Sequence, residues 1–459
     1  MRKADKGNSP CGPDDRGEAQ ARHVRRADGR GPSATAAPIE RAVLVGVHLP
    51  LRLGGDLGGA ADLEELGRLA DTAGAVVTGQ VEQRRDRPEP ATFVGKGKLA
   101  ELKALVGSTS ANLVVFDNDL SPAQGRNLER ELGARVIDRT ELILDIFARH
   151  ARTREARVQV ELAQLQYALP RLTRLWSHLE RQAGGIGTRG PGETQLETDR
   201  RLISRRIAQL KRELVEVGRD RRVQRHGRRG EFTAALVGYT NAGKSTLMNG
   251  LTEAGVPVED RLFATLDATT RRVELDARRR FLLTDTVGFI RRLPHHLVES
   301  FQATLQEVAD ADLLVHVVDA ASPDPQRQID AVNRVLADLV PEDRDTQIVF
   351  NKLDRVDADE FRQRFARRYT GALFISAREP AGVEAARAAI RRRVVAREII
   401  VRLLVPAAQG QALAVFHRTG DVLEETWDGP FCRVVVRLRA EELRRLLARH
   451  PGIRREAPQ

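Results

Sequence analysis

The stretch of sequence that decides the fold is Gly238-Tyr239-Thr240-Asn241-Ala242-Gly243-Lys244-Ser245. It follows an apolar run over residues 233–237 and precedes a helical pattern that opens at Thr246. The glycines allow backbone N–H groups to face phosphate oxygens, Lys244 reaches the β- and γ-phosphates, and the Ser245 hydroxyl is a ligand for Mg²⁺. The stretch therefore predicts a phosphate-binding loop between a strand and a helix, with Mg²⁺ as cofactor.

Two further segments predict the γ-phosphate side of the same site. Asp285-Thr286-Val287-Gly288 follows the apolar residues 281–284 and has the form D-x-x-G. In this motif the Asp285 carboxylate orients Mg²⁺ through water, and the Gly288 N–H faces the γ-phosphate. We expect the first switch segment at Phe263-Ala264-Thr265-Leu266-Asp267, between the two motifs, where the Thr265 hydroxyl completes the Mg²⁺ coordination when a γ-phosphate is present. Ser245 and Thr265 are thus the predicted metal ligands.

The specificity for the guanine base is predicted from two segments that each follow an apolar strand. In Asn351-Lys352-Leu353-Asp354, the Asp354 carboxylate accepts both N1–H and N2–H₂ of guanine, a pair that adenine lacks. In Ser376-Ala377-Arg378, the Ala377 N–H is placed to reach guanine O6. Each motif alone also fits an ordinary turn, but their joint order predicts a GTPase that binds GTP and GDP.

The residue after the D-x-x-G motif predicts slow hydrolysis by the isolated protein. Ras-like proteins place a glutamine there to orient the attacking water, and this chain has Phe289, which cannot polarise water. Asn241 has two interpretations: it holds a monovalent cation such as K⁺ beside the phosphates, or it only fits the loop. The predicted catalytic residues are Lys244, Thr265, Gly288 and Asn241.

The rest of the chain predicts an α/β protein with several parts. Residues 1–40 lack apolar periodicity and predict a disordered tail. Strand and helix patterns alternate over residues 41–150, which predicts an N-terminal parallel α/β domain. Residues 231–395 predict a P-loop GTPase domain with a mainly parallel sheet, and residues 396–459 a small α+β domain.

Residues 151–230 predict a basic helical hairpin of the coiled-coil type. Two heptad seams are present, over residues 158–176 and 203–217, and the glycine-rich residues 184–192 between them predict a tip loop. Pro170 is expected to kink the first helix. These 80 residues contain 19 Arg and Lys against nine Asp and Glu, so they carry +10 of the chain's net charge of +11. Such a segment is either a solvated helical face or a surface for a polyanion, and the imbalance favours nucleic acid.

The two cysteines, Cys11 and Cys432, cannot form a disulfide framework, which suits a reducing compartment. We find no secretory signal, and the apolar run over residues 42–51 is too short to span a bilayer. We therefore expect a cytoplasmic, monomeric protein with no membrane span.

The sequence resembles the HflX family of translation-associated GTPases over residues 42–459. The most specific segment is the predicted tip, GGIGTRGPGETQLE over residues 184–197. Residues 93–98 (FVGKGK) and 262–267 (LFATLD) support the resemblance. The family usually has proline where Ala268 stands and commonly lysine where Arg378 stands.

The resemblance implies binding to the large ribosomal subunit, with the tip near the peptidyl transferase centre, and a role in splitting or rescuing stalled ribosomes under stress. The predicted RNA contacts are the tip residues Arg189, Gly190, Pro191 and Gly192, since an arginine can stack on a base and glycines permit close approach. Two alternatives stay open: a nucleotide-sensing protein on ribosomal RNA with little catalysis, and an RNA remodeller driven by ATP or GTP. Asp354 argues against ATP as the main nucleotide.

Overall fold

The computed structural model of the protein describes residues 39–50, 60–174, 191–226, 230–252, 262–263, 265–291, 302–341 and 343–456. Strands in the N-terminal part form a parallel sheet of order β2-β1-β3-β4. The elements are β1 (Arg41–His48), α1 (Ala60–Thr72), β2 (Val76–Arg84), α2 (Lys96–Thr109), β3 (Leu113–Phe116), α3 (Pro122–Leu132), β4 (Arg135–Asp138) and α4 (Arg139–His150). Because helices cover both faces, strand β1 is a nearly continuous apolar run that is buried almost throughout.

The hairpin consists of α5 (Arg154–Ala168) and α6 (Pro191–His226). Val158, Leu162 and Leu210 are buried between the two helices, with Leu165, Ile207 and Leu214 packed against them, so the middle parts of the two predicted seams meet. The predicted kink at Pro170 is wrong: α5 ends at Ala168, and a 3₁₀-helix (Leu169–Arg174) follows, because proline cannot donate the backbone hydrogen bond that an α-helix needs.

The start of α6 also differs from the prediction. Helix α6 begins at Pro191, so Pro191 and Gly192 belong to its first turn and not to the tip loop. Proline suits this position because the first helical N–H has no partner within the helix. Residues 184–190 lie outside the described residues, as do residues 1–38 of the predicted tail.

The third part has a sheet of order β10-β9-β8-β5-β7-β6, in which only the β6–β7 pair is antiparallel. Its elements are β5 (Phe232–Gly238), α7 (Lys244–Thr252), β6 (Thr269–Glu274), β7 (Arg280–Asp285), α8 (Gln302–Ala309), β8 (Leu313–Asp319), α9 (Pro325–Ala337), β9 (Thr346–Asn351), α10 (Ala358–Phe365), β10 (Leu373–Phe374) and α11 (Pro380–Ala396). Four of the predicted nucleotide motifs lie at the carboxyl ends of β5, β7, β9 and β10, so the topology brings them to one edge of the sheet. The first switch segment precedes β6, whose first residue, Thr269, pairs with Asp285 at the same edge.

The C-terminal part is an antiparallel sheet of order β12-β13-β11-β14 with two helices. Its elements are β11 (Ile399–Pro406), α12 (Gly410–Thr419), β12 (Asp421–Asp428), β13 (Phe431–Leu438), α13 (Ala440–Arg449) and β14 (Arg454–Arg455). Leu403, Phe416 and Val434 are buried at its core. The predicted α/β class is confirmed. Among the described helices, none is both long enough and apolar enough to cross a bilayer.

Candidate nucleotide-binding site

The phosphate-binding loop depends on two glycines. Gly238 has φ of 148°, and a Cβ atom there would lie 2.1 Å from the carbonyl oxygen of Val317. Gly243 has φ of 92°, and its Cβ would lie 2.2 Å from the side-chain amide of Asn351. Side chains are excluded at both positions by backbone conformation and by space, so the loop can wrap closely around a phosphate.

Asn351 fixes this loop to the base-binding segments. Its Nδ2 donates to the carbonyl oxygen of Ala242 over 2.9 Å, and its Oδ1 accepts from the Ala377 N–H over 2.8 Å. Leu353 N–H donates to the Ile375 carbonyl over 3.2 Å. One buried amide therefore holds three of the predicted motifs together.

Lys244 lies at the centre of the loop and is almost fully buried. Its Nζ donates to the carbonyl oxygens of Gly238 and Tyr239, at 3.2 and 2.9 Å. Burial lowers the pKa of Lys244 to about 8, with Asp285 opposing the shift and Lys352 adding to it. A phosphate that replaced the carbonyl contacts would stabilise the charged ammonium.

Three oxygen-bearing side chains meet beside the loop, as the sequence predicted. The Ser245 Oγ lies 2.8 Å from Thr265 Oγ1 and 2.6 Å from Asp285 Oδ2, and Thr265 Oγ1 lies 3.3 Å from the same oxygen. Asp285 Oδ1 is buried and has no hydrogen-bond partner among the described residues. Burial raises the pKa of Asp285, and Lys244 opposes the shift. This all-oxygen donor set fits Mg²⁺.

The D-x-x-G segment packs against the phosphate-binding loop through Gly288 and the following residue, Phe289. A Cβ at Gly288 would lie 2.8 Å from Thr240 Cα and 3.0 Å from Lys244 Nζ. Phe289 accepts from the Thr240 N–H over 2.7 Å and donates to the Gly238 carbonyl over 3.0 Å. The Phe289 ring is 3% exposed. The residue that follows D-x-x-G is thus a core residue and has no means of orienting water.

The predicted base-binding residues line a pocket beside the loop. Its walls come from Asn241, Gly243, Thr246, Asn351, Lys352, Asp354, Arg355, Ser376, Ala377 and Arg378. Asp354 is exposed, and a hydrogen bond from Ser376 lowers the pKa of its carboxyl. The lowered pKa favours the ionised carboxylate, which is the form that the predicted reading of guanine N1–H and N2–H₂ requires.

The sequence analysis did not identify two residues in or next to this pocket. Arg355 contributes to the wall, and Asp319 pairs with Lys352 Nζ over 2.7 Å. Lys352 has φ of 62°, which lies in the left-handed region. The only signal for Asp319 was its place at the carboxyl end of β8, next to β9.

The other residues that the sequence assigned to the nucleotide or to RNA differ in burial and in contacts. Thr286 Oγ1 donates to the Leu236 carbonyl over 2.6 Å, and the Val287 and Leu266 side chains are buried. The Asp267 carboxylate bonds to Arg152 and Thr153, at the start of α5. Ala264, Arg189 and Gly190 lie outside the described residues.

A buried polar cluster joins the loop to the N-terminal domain, and the sequence had not indicated it. The Tyr239 hydroxyl donates to Glu65 on α1 and accepts the Arg291 N–H over 3.0 Å. Arg139 bridges Glu65 and Asp117, the latter over 2.7 Å. Burial, with the Glu65 charge next, raises the pKa of Tyr239, so the phenol stays protonated and can donate.

Comparison with known proteins agrees with this site. Three family models match: GTP-binding GTPase N-terminal over residues 60–148, GTP-binding GTPase Middle Region over 150–228, and 50S ribosome-binding GTPase over 233–352. GTPase HflX of Magnetococcus marinus is 47% identical over 388 residues, which cover 84% of this chain and 89% of the relative. The chain belongs to the HflX family. GTPase HflX of Escherichia coli is 44% identical over 426 residues, covering 90% and 97% of the two chains.

Membership of the HflX family confirms the predicted resemblance, and the protein is a GTPase that binds GTP and GDP. The chain is also similar to a crystal structure of a GTP-binding protein from the archaeon Sulfolobus solfataricus in complex with GDP. That match has 24% identity and a TM-score of 0.41, and covers 77% of this chain and 98% of the other.

Proposed function

We propose that this HflX-family GTPase binds the large ribosomal subunit and uses its GTP cycle to split or rescue ribosomes under stress. The observation that carries the proposal is a row of exposed cations along α6, formed by Arg200, Arg201, Arg205, Lys211, Arg212 and Arg219. At ~1.5 Å rise per residue the row spans roughly 28 Å. RNA phosphates are the partner that such a row fits.

The other charges of the hairpin support this assignment, because several are already neutralised within it. Arg206 pairs with Glu161 at 2.7 and 2.9 Å, and Arg154 pairs with Glu213 at 2.9 and 2.7 Å. These pairs hold α5 against α6, whereas the exposed row on α6 faces solvent. The chain also matches the family model of a 50S ribosome-binding GTPase, which supports ribosomal RNA of the large subunit as the RNA that is bound.

For hydrolysis, we propose that Ser245 and Thr265 hold Mg²⁺ with Asp285 behind them, and that Lys244 and the Gly288 N–H bind the γ-phosphate. Mg²⁺ would neutralise charge that develops on the phosphate oxygens. Since Phe289 is buried, the group that orients water has to come from elsewhere, and we expect the ribosome to complete the site.

Asn241 keeps two interpretations. Its φ of 59° gives a conformational reason for asparagine, which tolerates the left-handed region better than most residues. The second interpretation is a K⁺ ion held beside the phosphates. Turnover measured in KCl and in NaCl separates them: equal rates would leave Asn241 with the conformational role alone.

The ribosome assignment is tested by sedimentation with large subunits in GTP-analogue, GDP and nucleotide-free states. The variant carries Arg200→Ala, Arg201→Ala and Arg205→Ala. The control carries Arg362→Ala, Arg364→Ala and Arg367→Ala, which remove the same charge on α10 and just after its end. We expect only the α6 variant to bind weakly, with a salt slope reduced by roughly 2–3. Wild-type sedimentation of the α6 variant would contradict the proposal.

A further inference from the structure

The first switch and the base of the hairpin are joined through one carboxylate. Asp267 Oδ2 accepts from the backbone N–H groups of Arg152 and Thr153, each over 3.2 Å. The Thr153 hydroxyl donates to the other carboxylate oxygen of Asp267. These partners are more than 110 residues apart in the chain, so the contact links two domains and is not a local turn.

Thr153 is also the N-cap of α5, the first helix of the hairpin. Its Oγ1 accepts from the Ala156 N–H over 3.1 Å. The first N–H groups of a helix have no partner within it and favour a negative charge nearby. The cap hydroxyl and the Asp267 carboxylate together meet that need, so Asp267 completes the start of the hairpin.

The switch segment has a second anchor, on the N-terminal domain. The ring of Phe263 packs edge-on against Phe147 of α4, with centroids 4.7 Å apart and planes at 89°. Leu266 is 2% exposed and belongs to the same core. Thr265, whose hydroxyl lies 2.8 Å from Ser245, therefore stands between an anchor at Phe263 and an anchor at Asp267.

We propose that Thr153, although outside the nucleotide pocket, is a positioning residue for GTP hydrolysis. Through Asp267 it holds Thr265 at the Mg²⁺ position, which lowers the entropy cost of ordering the switch. Coupling of this kind is reciprocal, so the bound nucleotide also sets the strength of the cap at the hairpin base. The inference rests on the proposed role of Thr265 at Mg²⁺.

The kinetic test compares Thr153→Val with Thr153→Ser, which keeps the hydroxyl. We expect Thr153→Val to lower kcat roughly tenfold, the size expected when a hydrogen bond to a charged group is lost. The affinity for GDP should stay unchanged, whereas the KM for GTP and the Mg²⁺ concentration for half-maximal rate should both rise. Thr153→Ser should restore the rate, and failure to do so would show that valine acts by packing and would overturn the proposal.

The matched control is Ser121→Ala. Ser121 caps α3 in the neighbouring N-terminal domain, accepting the Gln124 N–H over 3.3 Å, and it has no contact with the switch segment among the described residues. Its loss should leave kcat at the wild-type value. An equal fall in both variants would mean that a weakened helix cap away from the switch segment also slows hydrolysis, which would contradict the specific link.

A second readout does not depend on turnover. Hydrogen exchange of the Arg152 and Thr153 amides should be slower with a GTP analogue and Mg²⁺ than with GDP. Asp267→Ala, which leaves the Thr153 cap intact, should abolish that difference. Equal exchange in both states of the wild type would overturn the inference. If Thr265→Ala still abolished hydrolysis in that case, the proposed Mg²⁺ role of Thr265 would stand without it.

Discussion

The hydroxyl of Ser245 donates to the carboxylate of Asp285 over 2.6 Å. This contact joins the phosphate-binding loop to the end of β7, and it places both oxygens beside Thr265. Because the same atoms are the expected environment of Mg²⁺, the arrangement predicts that hydrolysis depends on Ser245 while folding does not.

Ser245→Ala and Lys244→Ala should each reduce GTP turnover by about 100-fold or more, since each removes a group that stabilises charge on the phosphates. Both variants should keep the wild-type circular dichroism spectrum. Ser204→Ala, an exposed serine on α6, is the control and should hydrolyse normally. Turnover at the wild-type rate in either site variant would remove that residue from the mechanism.

Guanine specificity should depend on Asp354. Asp354→Asn should weaken GTP binding by about 2–4 kcal/mol, because it puts an NH₂ donor where the base needs an acceptor. Xanthosine triphosphate, whose base has an acceptor at that position, should bind the variant better than GTP does. The control is Asp357→Asn, three residues along, which preserves the cap of α10. A titration that found unchanged GTP affinity for Asp354→Asn would refute the assignment.

Nucleotide binding should take up a proton in mildly alkaline solution. Burial lowers the pKa of Lys244 to about 8, so above that pH the amine is mostly neutral, and phosphate binding would restore its charge. GTP affinity should therefore fall as the pH rises through 8. We expect phosphate binding to return the pKa of Lys244 towards the ordinary lysine value near 10.4, so that a proton is taken up at about pH 8.5. Calorimetry in buffers of different ionisation enthalpy should show this uptake as a binding enthalpy that changes with the buffer. Lys244→Arg, which stays charged, should not show it; proton uptake equal to wild type would assign the effect elsewhere.

Gly190 and the first turn of α6 should act separately from the exposed cations farther along α6. Gly190→Ala, Pro191→Ala and Gly192→Ala combined should leave GTP binding intact, because the nucleotide pocket lies in another domain. Most affinity for ribosomes should survive, since the phosphate contacts are assigned to α6. Splitting of ribosomes, followed by light scattering, should be lost. A fully active triple variant would mean that the segment only connects two helices.

Much of the nucleotide site was predictable because its motifs are contiguous in the chain and each follows a strand. The glycines at 238 and 243, the Ser245 hydroxyl and the Asp354 carboxylate work through local backbone geometry. Helix ends were less predictable. The termination of α5 before Pro170 depended on one missing N–H, and the heptad pattern continued past it.

Contacts between domains were not predictable, because no local pattern encodes a partner far along the chain. Tyr239 occupies a variable position of its motif, and its hydrogen bond to Glu65 depends on how the N-terminal domain packs. Asp267 was assigned to nucleotide binding from its place in the switch segment. In the structure its carboxylate instead contacts the first residues of the hairpin. Both side chains became informative only once two domains were placed together.

The central claim is that this GTPase works on the ribosome with an incomplete site of its own. Its most direct test is GTP turnover with and without purified large subunits, at fixed Mg²⁺ and salt. Because Phe289 is buried and cannot orient water, we expect slow turnover alone and an increase of about 100-fold or more with subunits, as when a partner supplies a missing catalytic group. Equal rates with and without subunits would contradict the claim.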